Sequence, residues 1–116
     1  MTDQEFCPIA AATDLLGQKW TLLIVNYLHA AAPARLRFCE LQTELGGLNP
    51  ATLSGRLKLL ESEGLVERVE VASLPLRVEY GLTRKGSDLG PVVESLNAWG
   101  NKWLAPSKAR IKSKSP

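Results

Sequence analysis

The chain has 116 residues, of which 45% are hydrophobic and 22% charged, as in an ordinary globular domain rather than a disordered or fibrous one. Its 14 Lys and Arg residues exceed its 12 Asp and Glu residues only slightly, so the net charge of +2 does not by itself indicate a nucleic-acid partner. No apolar run is long enough to span a bilayer, and Asp3 and Glu5 stand where a signal peptide would be positively charged. We therefore expect a cytoplasmic protein with no membrane partner, whose two cysteines remain thiols.

Three helices are predicted in the first part of the chain. Pro8 is suited to open a helix that ends at Gly17, and the segment "QKWTLLIVNYLHA" has apolar residues at helical spacing, which predicts a second helix in the core. After the break at "AAPAR", the segment "LRFCELQTELGG" predicts a short third helix that ends at its glycine pair.

A fourth helix is predicted over "NPATLSGRLKLLESEG". Asn49 is a favourable N-cap, Pro50 occupies the first helical position, and the helix ends near Gly64. The leucines that form its buried stripe are Leu53, Leu57 and Leu60. Gly55 is unusual, because glycine inside a helix costs about 1 kcal/mol relative to alanine.

The remainder of the chain changes period. Alternating residues in "LVERVEVA" and "RVEYGL" predict a two-stranded hairpin. Thr83 is expected to cap one long final helix that reaches about Ala105. We expect one folded domain over residues 7–105, followed by a basic, disordered tail over residues 106–116.

This order of elements predicts an α+β, mostly helical fold. A helix pair across a tight turn, followed by a hairpin, is the winged helix-turn-helix arrangement, with a two-stranded wing and here a long C-terminal dimerisation helix. In that arrangement the second helix of the pair enters a major groove of DNA and the hairpin lies along the backbone.

Several motifs carry a family resemblance over residues 7–103. They are Cys7 with Pro8, the "KWT" at residues 19–21, the "RFCEL" at residues 37–41 and the "VEYGLTRKG" at residues 78–86. Together they resemble the HxlR-type winged helix-turn-helix transcriptional regulators, which are relatives of the MarR group. The resemblance implies a homodimer that pairs through its first and last helices, binds double-stranded operator DNA and has no enzymatic activity.

The outer face of the fourth helix is the predicted DNA-binding surface. Small residues allow the helix to approach base edges closely, and hydroxyl and basic side chains supply donors to bases and phosphates. The residues assigned to this role are Thr52, Ser54, Gly55, Arg56 and Lys58. Arg77 near the wing tip and Arg37 before the third helix are predicted phosphate contacts, although Arg37 is equally suited to a cap or pairing within the fold.

Cys7 has two interpretations. The N-terminus of a helix favours the reactive thiolate, so Cys7 is a candidate redox sensor, and the family resemblance supports this because some members are regulated through a cysteine there. The alternative is an apolar cysteine buried at the dimer seam. Cys39, in the short third helix, is a weaker candidate for a redox sensor, and for it we expect a packing role.

The long apolar stripe of the final helix exceeds what one small domain covers. We therefore assign it mainly to a dimer interface, to which the family resemblance adds Ile9 of the first helix. Trp20 is instead expected in the core. The interface residues of the final helix are Leu96, Trp99 and Trp103.

The residues offer no catalytic or metal site. His29 is the single histidine, and there is no Cys-x-x-Cys pattern, no paired carboxylates at ligand spacing and no glycine-rich phosphate loop. We expect no enzyme, no cofactor and no metal. A small-molecule effector is compatible with the sequence but not identified by it, and a winged-helix protein-interaction module without specific DNA binding is the alternative function.

Overall fold

The structure, a computed structural model, describes residues 5–104. Six helices and three strands follow one another in this part of the chain. In chain order they are α1 (Pro8–Leu16), α2 (Thr21–Ala31), β1 (Leu36–Arg37), α3 (Phe38–Glu44), α4 (Pro50–Ser62), β2 (Val66–Val71), β3 (Arg77–Leu82), α5 (Arg84–Ser87) and α6 (Gly90–Trp103). The predicted winged helix-turn-helix is confirmed, with α3 and α4 as the helix pair and the β2–β3 hairpin as the wing. Residue 105 and the predicted tail lie outside the described residues.

The sheet has one strand more than predicted. Its order is β1-β3-β2, and both pairings are antiparallel. Strand β1 contains only two residues, Leu36 and Arg37, which pair with Tyr80 and Glu79 of β3. Two residues are too few for an alternating pattern to appear, so the strand left no signal in the sequence.

The core is formed where α2, α3 and α4 meet the inner side of the sheet. Leucine and isoleucine side chains dominate it, and Tyr80 contributes from β3. Its fully buried large residues are Ile24, Leu28, Leu41, Leu53, Leu57 and Leu60. Trp20 is half-buried and packs against this cluster, in agreement with its predicted core position.

The predicted long final helix is two helices. The Thr83 hydroxyl caps α5 by accepting from the Gly86 amide at 3.0 Å, as predicted, but α5 ends at Ser87. A new helix, α6, starts at Gly90 and carries Pro91 in its first turn. Proline has no amide hydrogen to bond the carbonyl four residues earlier, so the helix that Thr83 begins cannot run regularly through Pro91.

Helix α6 is attached to the rest of the domain mainly through α2. Only Gly90 and Val93 of α6 are buried. Two polar pairs join the helices: His29 Nε2 lies 2.8 Å from Glu94 Oε2, and Asn97 donates to Asn26 at 2.9 Å. The C-terminal half of α6 therefore projects from the domain with its apolar residues exposed.

Candidate nucleic-acid interface

The turn between α3 and α4 is closed by glycine and asparagine. Gly46 and Gly47 adopt φ angles of 74° and 81°, and their amides bond the carbonyls of Thr43 and Gln42 at the end of α3. This is a Schellman termination, which favours glycine because of its left-handed backbone. Asn49 Oδ1 then accepts from the Ala51 amide at 2.8 Å, so it caps α4 as predicted.

Helix α4 has a buried face and a bare outer face. Leu53, Leu57 and Leu60 are at most 1% exposed and hold the helix to the core. On the other side, a Cβ added to Gly55 would meet no atom within 4 Å, apart from its chain neighbours and the helix's own backbone. Flanking Gly55 are the exposed Ala51 and Lys58 and the half-exposed Thr52 and Ser54. The structure thus places Gly55 and Lys58 on the accessible face of α4, with Thr52 and Ser54 less exposed beside them, and the role of these residues in DNA binding stays a prediction.

Arg56 has an internal partner that sequence reasoning missed. Its Nε–H donates to the carbonyl oxygen of Lys19, in the turn between α1 and α2, at 3.1 Å. Arg56 is half-buried, unlike the exposed Lys58. The two partners lie 37 residues apart, and no local pattern links positions so distant in sequence.

The wing carries an interlinked set of charges. Arg77, the first residue of β3, lies 3.6 Å from Glu79, and Arg35 donates to the same carboxylate at 3.3 Å. Arg68 lies on β2, and its pKa is raised mainly by a side-chain hydrogen bond to Glu70 and, to a smaller extent, by one to Tyr80. Arg77 is exposed at the start of β3, so its side chain on the wing remains accessible to a binding partner despite its contact with Glu79.

Arg37 precedes α3 and takes part in its cap. Its backbone amide donates to Glu40 Oε1 at 2.8 Å, while its side chain is exposed. The capping alternative is therefore realised by the backbone of Arg37. The side chain remains accessible.

Both cysteines are exposed thiols in the isolated chain. Cys7 is the N-cap residue of α1, and its carbonyl accepts from the Ala11 amide at 3.0 Å. The expected packing role of Cys39 is wrong. Cys39 lies two residues before the buried Leu41, which is about 200° around a helix and therefore on its outward side.

Large apolar side chains are exposed on α1 and, at a spacing of three and four residues, on one side of α6. Ile9 is 73% exposed, Trp99 56% and Trp103 65%, and Leu96 and Val92 are also accessible. Leu96 further lines a shallow groove between α2 and α6, together with Leu23 and Val93. An accessible patch of this kind is typical of an interaction surface.

Within residues 5–104, no group of three or more His, Cys, Asp or Glu side chains is placed to hold a metal ion. In the same range, no helix combines the length and the apolar character needed to cross a membrane.

Comparison with known proteins relates this architecture to transcriptional regulators. A family model described as HxlR-like helix-turn-helix matches residues 15–108. The HTH-type transcriptional regulator YvaP of Bacillus subtilis strain 168 is 39% identical over 108 residues, which cover 92% of this chain and 97% of YvaP.

Two solved structures of regulators, one in its reduced form and one in its oxidised form, are similar to the chain. The reduced transcriptional regulator YodB from B. subtilis has a TM-score of 0.73 and 32% identity, over 90% of this chain and all of that one. The redox regulator HypR in its oxidised form has a TM-score of 0.75 and 29% identity, over 83% of this chain and 96% of that one.

Proposed function

Because the chain belongs to the HxlR-like helix-turn-helix family of transcriptional regulators, we propose that it binds a pseudo-palindromic DNA site as a homodimer. Helix α4 of each protomer occupies a major groove, and the two grooves are separated by about one helical turn of DNA. The observation that carries the proposal is the outer face of α4, where the open space beside Gly55 leaves the backbone accessible to base edges.

The residues of this face supply the two kinds of DNA contact. Thr52 and Ser54 offer hydroxyl groups to bases or phosphates, and Lys58 and Arg56 offer positive charge. Arg77 on the wing and Arg37 before α3 contact the phosphate backbone on either side of the groove. Their exposure supports these assignments.

The homodimer forms through α1 and α6. The exposed Ile9, Leu96, Trp99 and Trp103 bury one another across the interface. Burial of apolar surface yields about 25 cal/mol per Å² removed from water, so several large side chains stabilise the pair substantially. The two α4 helices are thereby held at a separation that matches a symmetric site.

The test is a titration of the protein against duplex DNA at several salt concentrations. The duplexes are those that the purified protein retains from a randomised pool. DNA binding through phosphate contacts predicts an affinity that falls steeply and linearly in a log–log plot against salt. No sequence preference and no salt dependence would favour the alternative, a winged-helix module that uses the apolar α6 to bind another protein.

Cys7 is proposed as a thiol switch on this activity. Its exposure at the N-cap of α1, next to the proposed dimer surface, supports the proposal. Similar proteins include YodB, whose structures comprise diamide-treated and quinone-bound forms.

A comparison of cysteine variants tests the switch. DNA affinity is measured before and after diamide treatment of wild type, Cys7→Ser and Cys39→Ser, the last being a control with the other exposed thiol removed. We expect wild type and Cys39→Ser to respond and Cys7→Ser not to respond. An equal response of all three proteins would eliminate Cys7 as the sensor.

A further inference from the structure

The turn between α1 and α2, residues 17–20, together with the first residue of α2, is a strained segment that contains the "KWT" motif. Trp20 has a φ of 81°, and it is the only residue other than glycine with a positive φ among the described residues. Thr21 is fully buried, and its hydroxyl has no hydrogen-bond partner within the described chain. Such arrangements persist only where the surrounding structure holds them in place.

One of the groups that hold this turn belongs to α4. Arg56 donates its Nε–H to the Lys19 carbonyl at 3.1 Å, which places the backbone of Lys19 directly beside the helix proposed to enter the groove. This bond uses only one of the five N–H donors of the guanidinium group. Arg56 therefore links the turn to α4 while retaining donors for other contacts.

The side chain of Lys19 is exposed and has a defined position. Its ammonium nitrogen lies 5.0 Å from the centroid of the Trp20 ring, within the range of a cation–π interaction. The chain thus places a positive charge on a turn attached to α4. Among the ion pairs of the described residues, none includes the ammonium group of Lys19.

We propose that Lys19 is a further DNA-binding residue, whose ammonium group neutralises a backbone phosphate beside the groove occupied by α4, and that Arg56 positions it through the Lys19 carbonyl. The proposal rests on the DNA-binding function proposed above. A lysine contact to phosphate adds affinity but no sequence specificity, because the phosphate groups are the same whatever the base sequence.

The salt dependence of DNA binding tests this contact. The probe is the duplex that wild-type protein selects from a randomised pool, and the variant is Lys19→Gln. Loss of one phosphate contact lowers the slope of log affinity against log salt by about 0.9. We expect this reduction once for each protomer of the dimer. The relative preference among duplex sequences and the melting temperature of the protein should be the same as in wild type.

Lys102→Gln is the matched control. The ammonium group of Lys102 also lies beside an indole ring, 5.2 Å from the centroid of Trp103, but it is on α6 rather than next to α4. The substitution removes the same charge as Lys19→Gln. Because Lys102 does not lie next to α4, the slope of log affinity against log salt should equal that of wild type. Sedimentation of the control variant verifies that its oligomeric state is unaltered.

A double-mutant cycle tests the positioning role of Arg56. If Arg56 holds Lys19 in place, Lys19→Gln reduces the slope less in an Arg56→Ala background than in wild type. Equal reductions in both backgrounds would overturn the positioning role, and a wild-type slope for Lys19→Gln would overturn the contact. Absence of salt-dependent binding by wild type would overturn the proposed DNA-binding function itself, a result distinct from the other two.

Discussion

Gly86 of α5 packs directly against the carbonyl group of Leu65, because a Cβ at position 86 would clash with that oxygen. The same oxygen accepts a hydrogen bond from the Thr83 amide at 3.0 Å. The segment that leaves α4 and the segment that leads into α6 therefore meet at a point with no room for a methyl group.

Gly86→Ala is expected to destabilise the protein. The backbone of α5 must move away from Leu65, and overpacking of this kind costs about 1 to 3 kcal/mol. Urea unfolding followed by circular dichroism measures the change in the free energy of unfolding. A variant as stable as wild type would show that the contact relaxes without strain.

Gly55→Ala is expected to have opposite effects on folding and on DNA binding. Alanine is favoured over glycine inside a helix by about 1 kcal/mol, and no neighbouring side chain or loop obstructs the new methyl group, so the free energy of unfolding should rise. The same methyl group enters the proposed groove contact, so DNA affinity should fall, and Gly55→Leu should lower it further. Undiminished affinity in both variants would remove this face of α4 from the interface.

Asn49→Ala is expected to lower stability by about 1 kcal/mol, since the amides of Ala51 and Thr52 lose their side-chain acceptor. Asn49→Asp is the matched control, because a carboxylate caps a helix as effectively as an amide oxygen. Thermal unfolding of both variants distinguishes loss of the cap from any other effect of changing position 49. Equal destabilisation by the two substitutions would contradict the capping explanation.

Leu96→Glu is expected to dissociate the proposed homodimer, because it buries an unpaired charge in the apolar surface of α6. Analytical ultracentrifugation over a range of protein concentrations measures the effect. Leu74→Glu is the control, since Leu74 is fully exposed at the wing tip and outside the proposed interface. If both variants sediment like wild type, the dimer interface lies elsewhere.

Arg77→Ala is expected to weaken binding to all duplex sequences by a similar factor. The wing residue is assigned to phosphate, so its removal should lower the magnitude of the salt slope by about 0.9 per protomer without changing sequence preference. A variant that instead changes which duplexes are selected would place Arg77 against the bases.

The elements of the fold that were predictable are those with local signals. Asn49 and Pro50 identify the start of α4 because capping depends on adjacent residues, and the leucines identify its buried face through their spacing. The break between α5 and α6 also has a local signal in Pro91, but the continuous apolar stripe across it favoured one long helix. Strand β1 and the exposure of Cys39 depend on tertiary neighbours.

The candidate site was predictable to the same extent. The accessible face of α4 followed from the position of Gly55 opposite the leucines. The hydrogen bond from Arg56 to Lys19 was not predictable, because it joins two segments that only the folded chain brings together. As a consequence, the sequence indicated the charge of Arg56 but not its internal partner.

The open space at Gly55 also makes this position suitable for a chemical reporter. A Cβ added there meets no neighbouring side chain or loop within 4 Å, so the protein should accept a side chain that extends from this position into solvent. A photoreactive amino acid at position 55 would thus sample whatever approaches α4 from outside. Its crosslinks would identify the molecule that occupies this face in a cell extract, even where the sequence of the bound DNA has not been determined.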